Sequence, residues 1–370
     1  MKRSRKLLSL LLAATMTVSM AATASAAFSD FTDVKGHWAE KTLNQAYSDG
    51  ILKGSGSKTM SPNSSVTTAQ AVTMLCRVLH VTGQGDTSSL QIPQGAWYTQ
   101  DAAKAVYAGL LDNRDAGQLD QSISRKDAFI LFDKAFQIAE AQPDLTVLDQ
   151  FPDATSLTGQ SQRAAAALVE AGIVSGSDGK LQIDRPLTRA EFATILYRLA
   201  DQYISAAAFT GHTGAGSVLS GDADLSGVQM GTIWFDQSAS NIRLTDVTAK
   251  QVTVRSDQLT SLAISGTGEI SRLVLAARSG DIMLDLPDSC PVSTVSVGDG
   301  SGTISFSGTT SAMEITGQHR TVNVNCSLDA LVISGSDCSV TVKKGCSIRN
   351  LTVLGTGNTV TLDGTTKTLL

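Results

Sequence analysis

The chain has 370 residues, more than one typical domain, with 42% apolar residues and a formal net charge of −5. Its first 26 residues hold four of the 29 basic groups and none of the 34 acidic ones, so the remainder sets 25 basic against 34 acidic groups, a balance of −9. That balance argues against nucleic acid, whose phosphates need a basic face.

Residues 1–26 read as a secretory signal: Lys2, Arg3, Arg5 and Lys6, an apolar stretch from Leu7, then the small-residue exit Ala24-Ser25-Ala26. The mature chain is expected to start near Ala27. No second long apolar span follows, and no cysteine stands near the cleavage point. The terminal Thr366-Lys367-Thr368-Leu369-Leu370 has neither a Leu-Pro-x-Thr-Gly box nor a hydrophobic tail. No membrane anchor is therefore expected after signal removal, and retention outside the cell would be non-covalent.

Residues 28–82, 90–140 and 148–202 repeat one pattern. A glycine precedes an apolar pair at Gly50-Ile51-Leu52, Gly109-Leu110-Leu111 and Gly172-Ile173-Val174. Twelve residues before these glycines stand Trp38, Trp97 and, in the third copy, Gln160. Four residues after them come Gly54, Asn113 and Gly176, types that suit a left-handed backbone, so a tight turn is expected there. Each copy then carries a helix-starting capping box: Thr67 with Gln70, Ser124 with Asp127, Thr188 with Glu191. Apolar residues at helical spacing follow, such as Ala128, Leu131, Phe132 and Ala135, or Phe192, Ile195, Leu196 and Leu199. Each copy is thus a helix, a loop and a second helix. Arg125 and Arg189 occupy the first helical position, where a cation faces the positive end of the helix dipole at a cost of a few tenths of a kcal/mol unless an anion is near. A solvated side chain or a salt bridge to a neighbouring copy is the alternative to a bound anion.

Phe31-Thr32-Asp33-Val34, His37-Trp38-Ala39, Gly50-Ile51, Pro62 and the Thr188-Arg189-Ala190-Glu191 box resemble the S-layer homology (SLH) repeat of bacterial surface proteins, over roughly residues 28 to 200. The resemblance implies an all-α pseudo-threefold prism of three repeats whose grooves hold an anionic secondary cell-wall polysaccharide, often carrying a pyruvate ketal. It implies a secreted protein anchored non-covalently to the cell wall. Carried over residue by residue, it makes Arg125 and Arg189 carboxylate ligands, Asp33 and Asp153 polar groove residues, and Trp38 and Trp97 walls against sugar rings; guanidinium suits a carboxylate because it binds bidentately. The chain departs from the family at Thr68, which replaces the arginine, at Gln70, which replaces the glutamate, in the second copy, which lacks the Phe-x-Asp opening, and at Gln160. One or two working grooves are expected. The alternatives are buried core tryptophans and helix N-caps at Asp33 and Asp153.

Helical patterning stops near residue 205, and 205–222 reads as a small-residue linker. From 223 to 370, short alternating apolar runs bounded by Gly, Ser, Asn and Asp predict strands and turns. Strand-starting residues pair nine apart at Ile233 and Ile242, Leu273 and Ile282, Val295 and Ile304, Met313 and Val322, Leu331 and Val340, and Leu351 and Val360; Val252 and Leu262 are ten apart. First members advance by 18 to 22 residues, which predicts an all-β parallel solenoid of about seven coils. The whole fold is then mixed but segregated. A β-sandwich is the rival, although it should show more two-residue Asn-Gly or Asp-Gly turns. Gly268, Cys290, Gly308, Cys326 and Cys346 form a corner column in which reduced thiols are favoured over a Cys326–Cys346 disulfide. His37, His80, His212 and His319 are scattered, so neither metal nor cofactor is expected.

The function expected is a wall-anchored surface protein, not an enzyme, whose solenoid projects as an adhesin or structural module toward other surface proteins or host or environmental glycans. A polysaccharide lyase or hydrolase would need converging acidic groups on one outer face. Outward positions such as Thr253, Ser296, Ser305, Thr341, Thr352 and Thr361 are small, and Asp285 and Glu314 are isolated. A third possibility is a self-assembling surface-layer subunit, in which coils stack end to end unless Leu369 and Leu370 cap the solenoid.

Overall fold

A computed structural model describes residues 27–212, 214–288 and 292–369; the signal read over residues 1–26, and Cys290, lie outside the described residues. The helical half contains α1 (Glu40–Ser48) and α2 (Thr68–Val78), α3 (Thr99–Tyr107) and α4 (Arg125–Phe136), and α5 (Gly159–Glu170) and α6 (Arg189–Leu199). None of these helices is long and apolar enough to cross a membrane.

Each first helix ends in a left-handed glycine, Gly50, Gly109 or Gly172, at φ 71°, 72° and 69°. The next N–H reaches back along the helix, Ile51 to the Ala46 carbonyl, Leu110 to Ala105 and Ile173 to Leu168, which satisfies otherwise orphaned carbonyls. The turn therefore falls four residues earlier than expected. Gly176 is also left-handed (φ 72°), but Gly54 serves close packing, with the Phe31 ring 2.6 Å from where a Cβ would stand. Asn113 begins a short 3-10 turn.

The second helices start as the capping boxes predict. The Thr67, Ser124 and Thr188 hydroxyls accept from the Gln70, Asp127 and Glu191 amides, and the Gln70 and Glu191 side chains accept from the Thr67 and Thr188 amides. Just before these caps, three backbone segments close a ring: the Val66 amide donates to Leu187, Leu187 to Ile123, and Ile123 to Val66. That ring relates the three units by a pseudo-threefold axis. Around it α2, α4 and α6 bury aromatic and aliphatic side chains, with the Phe132 and Phe192 rings 4.7 Å apart.

The β half is built from β1 (Gln202–Ser205), β2 (Ser217–Ser220), β3 (Ala223–Ser226), β4 (Gln229–Phe235), β5 (Asn241–Thr245) and β6 (Thr248–Val254). It continues with β7 (Ser261–Ser265), β8 (Ile270–Leu275), β9 (Ile282–Leu286), β10 (Val292–Val297), β11 (Thr303–Gly308) and β12 (Thr310–Ile315). It ends with β13 (Thr321–Val324), β14 (Leu328–Ile333), β15 (Ser339–Val342), β16 (Ile348–Val353), β17 (Asn358–Leu362) and β18 (Thr365–Leu369). β1 and the even-numbered strands from β2 to β16 form one nine-stranded parallel sheet; the others form a three-stranded and a six-stranded sheet. Ile233, Val252, Leu273, Val295, Met313, Leu331 and Leu351 lie in one register column. Ile282, Ile304, Val322, Val340 and Val360 lie in another. The only antiparallel pair among the named strands is β17 with β18, so the fold is a solenoid and not a sandwich. Nine strands in the long sheet make about eight turns, because β1 and β2 extend the stack upstream of the seven coils expected.

Turn aspartates stitch the coils together: Asp246, Asp281 and Asp299 accept from the Thr267, Thr303 and Gln318 amides one coil onward. At another corner glycines stack so tightly that a Cβ on Gly335 would lie 1.8 Å from the Gly317 carbonyl oxygen, and one on Gly355 1.9 Å from that of Gly335.

The described residues of the segment 205–222, expected to be a linker, form instead the first coil of the solenoid. β1 pairs with β2 in parallel register, the Asp201 carboxylate accepts from the Ala215 amide (3.1 Å), and Ala206 and Phe209 are buried in the solenoid core. Its small residues reflect close packing: Gly216 lies against the Trp234 ring.

The solenoid does not project from the prism but lies beside it. The outer face of its long sheet meets the C-terminal ends of α3 and α4, whose last carbonyls lack intrahelical partners and carry the negative end of the dipole. Arg255 donates to the Lys134, Ala135 and Ala108 carbonyls, Arg272 to Gln137 and Ala139, Arg278 to Tyr107, and the Trp234 indole to Phe136 (2.7 Å). The outward residues Thr253 and Ser296 are consequently buried under the helices. Beyond α2, His80 pairs with buried Asp236 of the solenoid at 2.5 Å.

Two outcomes are expected. Gly335→Ala should lower the thermal stability of the solenoid by about 3 kcal/mol, since the clash is with backbone that cannot yield. His80 titrates above its ordinary value because Asp236 hydrogen-bonds and attracts its cation, outweighing partial burial. With the folded pKa raised, its contribution is complete below the unfolded imidazole value and is lost as pH rises through the folded one. The stability difference between wild type and His80→Gln, measured by thermal unfolding, should therefore shrink as pH rises above about 6.5.

Candidate functional site

The ring of backbone bonds decides what the helix N-termini can do. The Arg189 and Ala190 amides donate to the Ser64 and Pro62 carbonyls of the first unit; the Arg125 and Lys126 amides donate to Arg185 and Ile183 of the third. The first free N–H groups of α4 and α6 are thus used internally, and any anion must be met by side chains.

Both arginine side chains run along the seams between units. Arg189, 6% exposed, donates from Nε to the Met60 carbonyl (2.8 Å) and from Nη2 to that of Lys53 (2.6 Å). Arg125, 9% exposed, donates from Nε to the Leu181 carbonyl (2.7 Å) and lies over the Phe129 ring. Neither has a carboxylate within salt-bridge distance among the described residues. Burial lowers the pKa of both, opposed by the field of Asp33 at Arg189 and of Glu191 at Arg125. Neither is ion-paired, and the Arg125 Nη groups have no hydrogen-bond partner among the described residues.

Asp33 and Asp153 have a different position from the one expected. Asp33 accepts from the Met60 and Ser61 amides (2.9 and 2.7 Å), and Asp153 from Leu181 and Gln182 (3.0 and 2.6 Å). Each clamps the turn whose carbonyl receives an arginine Nε. They cap no helix, and their oxygens are turned to backbone. For Asp33, partial burial works to raise the pKa, but the two amide donors prevail and lower it. Repeat two lacks the aspartate together with the Phe-x-Asp opening.

Trp38 and Trp97 are 64% and 61% exposed, which rules out the core alternative. Trp97 flanks a groove of about 530 Å³ that draws on all three units. The first supplies Lys53 and the α2 residues Gln70, Thr73 and Arg77; the second supplies Trp97 and Asp101; the third supplies Arg189. The rule is cyclic: loop and second helix from one unit, tryptophan from the next, arginine from the one after.

The same rule accounts for the second groove, about 230 Å³, where α4 and the Asp112–Arg114 loop face Gln160 of the third unit and Thr68 of the first. Two of the departures from the repeat pattern, Thr68 and Gln160, meet there. This groove also opens onto the solenoid, whose Arg278, Asp299 and His319 line the adjoining cleft with Arg114 and Lys134. Applied once more, the rule places α6, Trp38 and Arg125 around a third groove.

A cation missed in the sequence closes each groove. Arg77, Lys134 and Arg198 stand ten residues after the N-caps and donate to the Ile51, Leu110 and Ile173 carbonyls at 2.8, 3.2 and 3.0 Å. The shared interval was the available signal.

On the solenoid, Glu314 lies on the long sheet beside Arg272 (3.5 Å), while Asp285 lies on the opposite sheet and binds Ser307. They cannot act on one substrate. Cys326 and Cys346 are free thiols on successive coils; burial, reinforced by Cys346, pushes the Cys326 thiol up to about 11.

Residues 30–72 and 150–193 match the S-layer homology domain model, and residues 215–330 match the Toastrack DUF4097 model. The second helical unit is not included in those matches. A Surface-layer 125 kDa protein of Lysinibacillus sphaericus is 24% identical over 198 residues, 50% of this chain and 16% of its own. The S-layer protein sap of Bacillus anthracis is 28% identical over 204 residues, 53% of this chain and 25% of its own. An amylopullulanase of Thermoanaerobacterium thermosulfurigenes is 27% identical over 179 residues, 46% of this chain and 10% of its own. The chain therefore spans a quarter or less of these relatives.

Replacing Asp153 by alanine should cost about 1–2 kcal/mol, the cost of unpaired amides at Leu181 and Gln182, with helix content unchanged by circular dichroism.

Proposed function

We propose that this secreted cell-surface protein, which carries S-layer homology domains, is tethered by an anionic cell-wall polysaccharide bound in its first and third grooves. The observation that carries the reading is the pairing of gains and losses. Arg189 and Trp97, from different units, share one groove, while Thr68 and Gln160, again from different units, share another. Random drift has no reason to remove an arginine from one unit and a tryptophan from another so that both vacancies coincide.

The chemistry follows from the geometry. Backbone carbonyls fix the Arg189 Nε and Nη2 groups, so the guanidinium meets a carboxylate with little further loss of side-chain freedom. Lys53 and Arg77 add positive field, and the exposed Trp97 face offers apolar surface to the C–H face of a sugar ring. Asp33 and Asp153 act as positioning residues that hold the carbonyls on which the arginines rest.

The solenoid is a structural module, not an enzyme. Part of its long sheet is covered by helices, and the opposite sheets are open to surface partners such as proteins or glycans. Polysaccharide-degrading chemistry has no support from Asp285 and Glu314, which sit on opposite sheets.

Titration of the full chain with purified wall polysaccharide should give two sites. Arg125→Lys and Arg189→Lys should each remove one, with roughly a 10–100-fold loss at the altered groove because Lys keeps the charge but not the fork. The double variant should release the protein from wall fragments, with its fold checked by circular dichroism. Undiminished binding by the double variant would refute the assignment.

A further inference from the structure

A cavity of about 960 Å³ lies between the third helical unit and the outer face of the solenoid's long sheet. On the same face, Thr253 and Ser296 are buried under helices. The cavity floor combines small residues, Gly231 on β4, Ser271 on β8 and Thr294 on β10, with the long polar side chains of Lys250, Gln251 and Arg272.

Its position relative to the grooves is informative. Ser175 and Arg198 line it. They occupy in the third unit the places that Lys53 and Arg77 hold in the first groove, three residues after the turn glycine and ten after the N-cap. The same relation holds in the second unit, where Asp112 and Lys134 line both the groove and the cleft toward the solenoid. By the same cyclic rule, Ser175 and Arg198 belong to the third groove, whose end would then open into this cleft.

The charges there are of both signs. Glu140 and Glu170 from the helical half face Lys250 from β6; all three are exposed, and none has a hydrogen bond or ion pair among the described residues. Behind them Arg272 and Glu314 form a buried pair, and burial raises the Glu314 pKa. A polyanion would be repelled by the carboxylates. Acceptors and donors side by side suit groups that do both, namely vicinal hydroxyls and N-acetylated amines.

We propose that this cleft is a second saccharide subsite, taking the neutral or weakly charged internal sugars of the polymer whose acidic unit sits in the third groove. One chain of the polymer would then touch both modules at once. The proposal rests on the groove reading above and can fail without it.

Two variants of the full chain test it: Ser271→Trp, which fills the floor, and Glu170→Ala with Lys250→Ala, which removes the unpaired charges. Each is titrated with long wall polysaccharide and with a short fragment bearing the acidic terminal unit, after thermal unfolding shows the fold intact. Both variants should lose about tenfold in affinity for the long polymer and none for the fragment, the equivalent of one or two hydrogen bonds. Wild-type affinity for the long polymer in both variants would overturn the subsite and leave the grooves in place. Failure of the wild type to bind either probe would overturn the groove reading and, with it, this one.

Discussion

Three backbone hydrogen bonds, Val66 to Leu187, Leu187 to Ile123 and Ile123 to Val66, hold the helical half in a closed ring. Because the ring brings each second helix against the neighbouring unit's turn, the first amides of that helix find carbonyl partners there. The positive end of the dipole is thereby spent on protein, not on ligand. The arginines at the first helical position then have one low-energy course, along the seam, where the Met60 and Leu181 carbonyls take their Nε protons. A residue that looks misplaced on an isolated helix is well solvated by backbone dipoles in the assembled prism.

The other ends of the helices are treated in the complementary way. Arg255, Arg272 and Arg278 of the solenoid donate to the terminal carbonyls of α3 and α4, so guanidinium groups satisfy the negative helix ends that water would otherwise solvate. The penalty for burying the Arg255 and Arg272 charges is offset by more than one carbonyl acceptor at each, whereas half-buried Arg278 has one. This is why a solenoid sheet with arginines on its outer face can pack under helices, and why the two halves are in direct contact.

The threefold frame is asymmetric in use. Docking of the solenoid beside the second unit brings Arg278 against Gly109, close to the groove that has lost both its arginine and its tryptophan.

Much of the fold is legible in the sequence because its determinants are local. Capping boxes at Thr67, Ser124 and Thr188 involve residues three apart, and the inward columns from Ile233 to Leu351 repeat at near-constant intervals, so each coil states its own register. The exposed tryptophans and seam arginines were visible as positions in a repeat. The rest depended on partners far away in the chain. Asp33 reads as a cap or a groove residue until Met60 and Ser61 stand beside it, and residues 205–222 read as a linker because the small side chains that allow a tight first coil have the composition of a flexible one. The meeting of Arg189 with Trp97, and of Thr68 with Gln160, follows from the order of units around an axis. Sequence periodicity specifies what each unit is, whereas only three-dimensional closure decides which unit's side chain faces which, because that choice is made by long-range backbone pairing and not by neighbours along the chain.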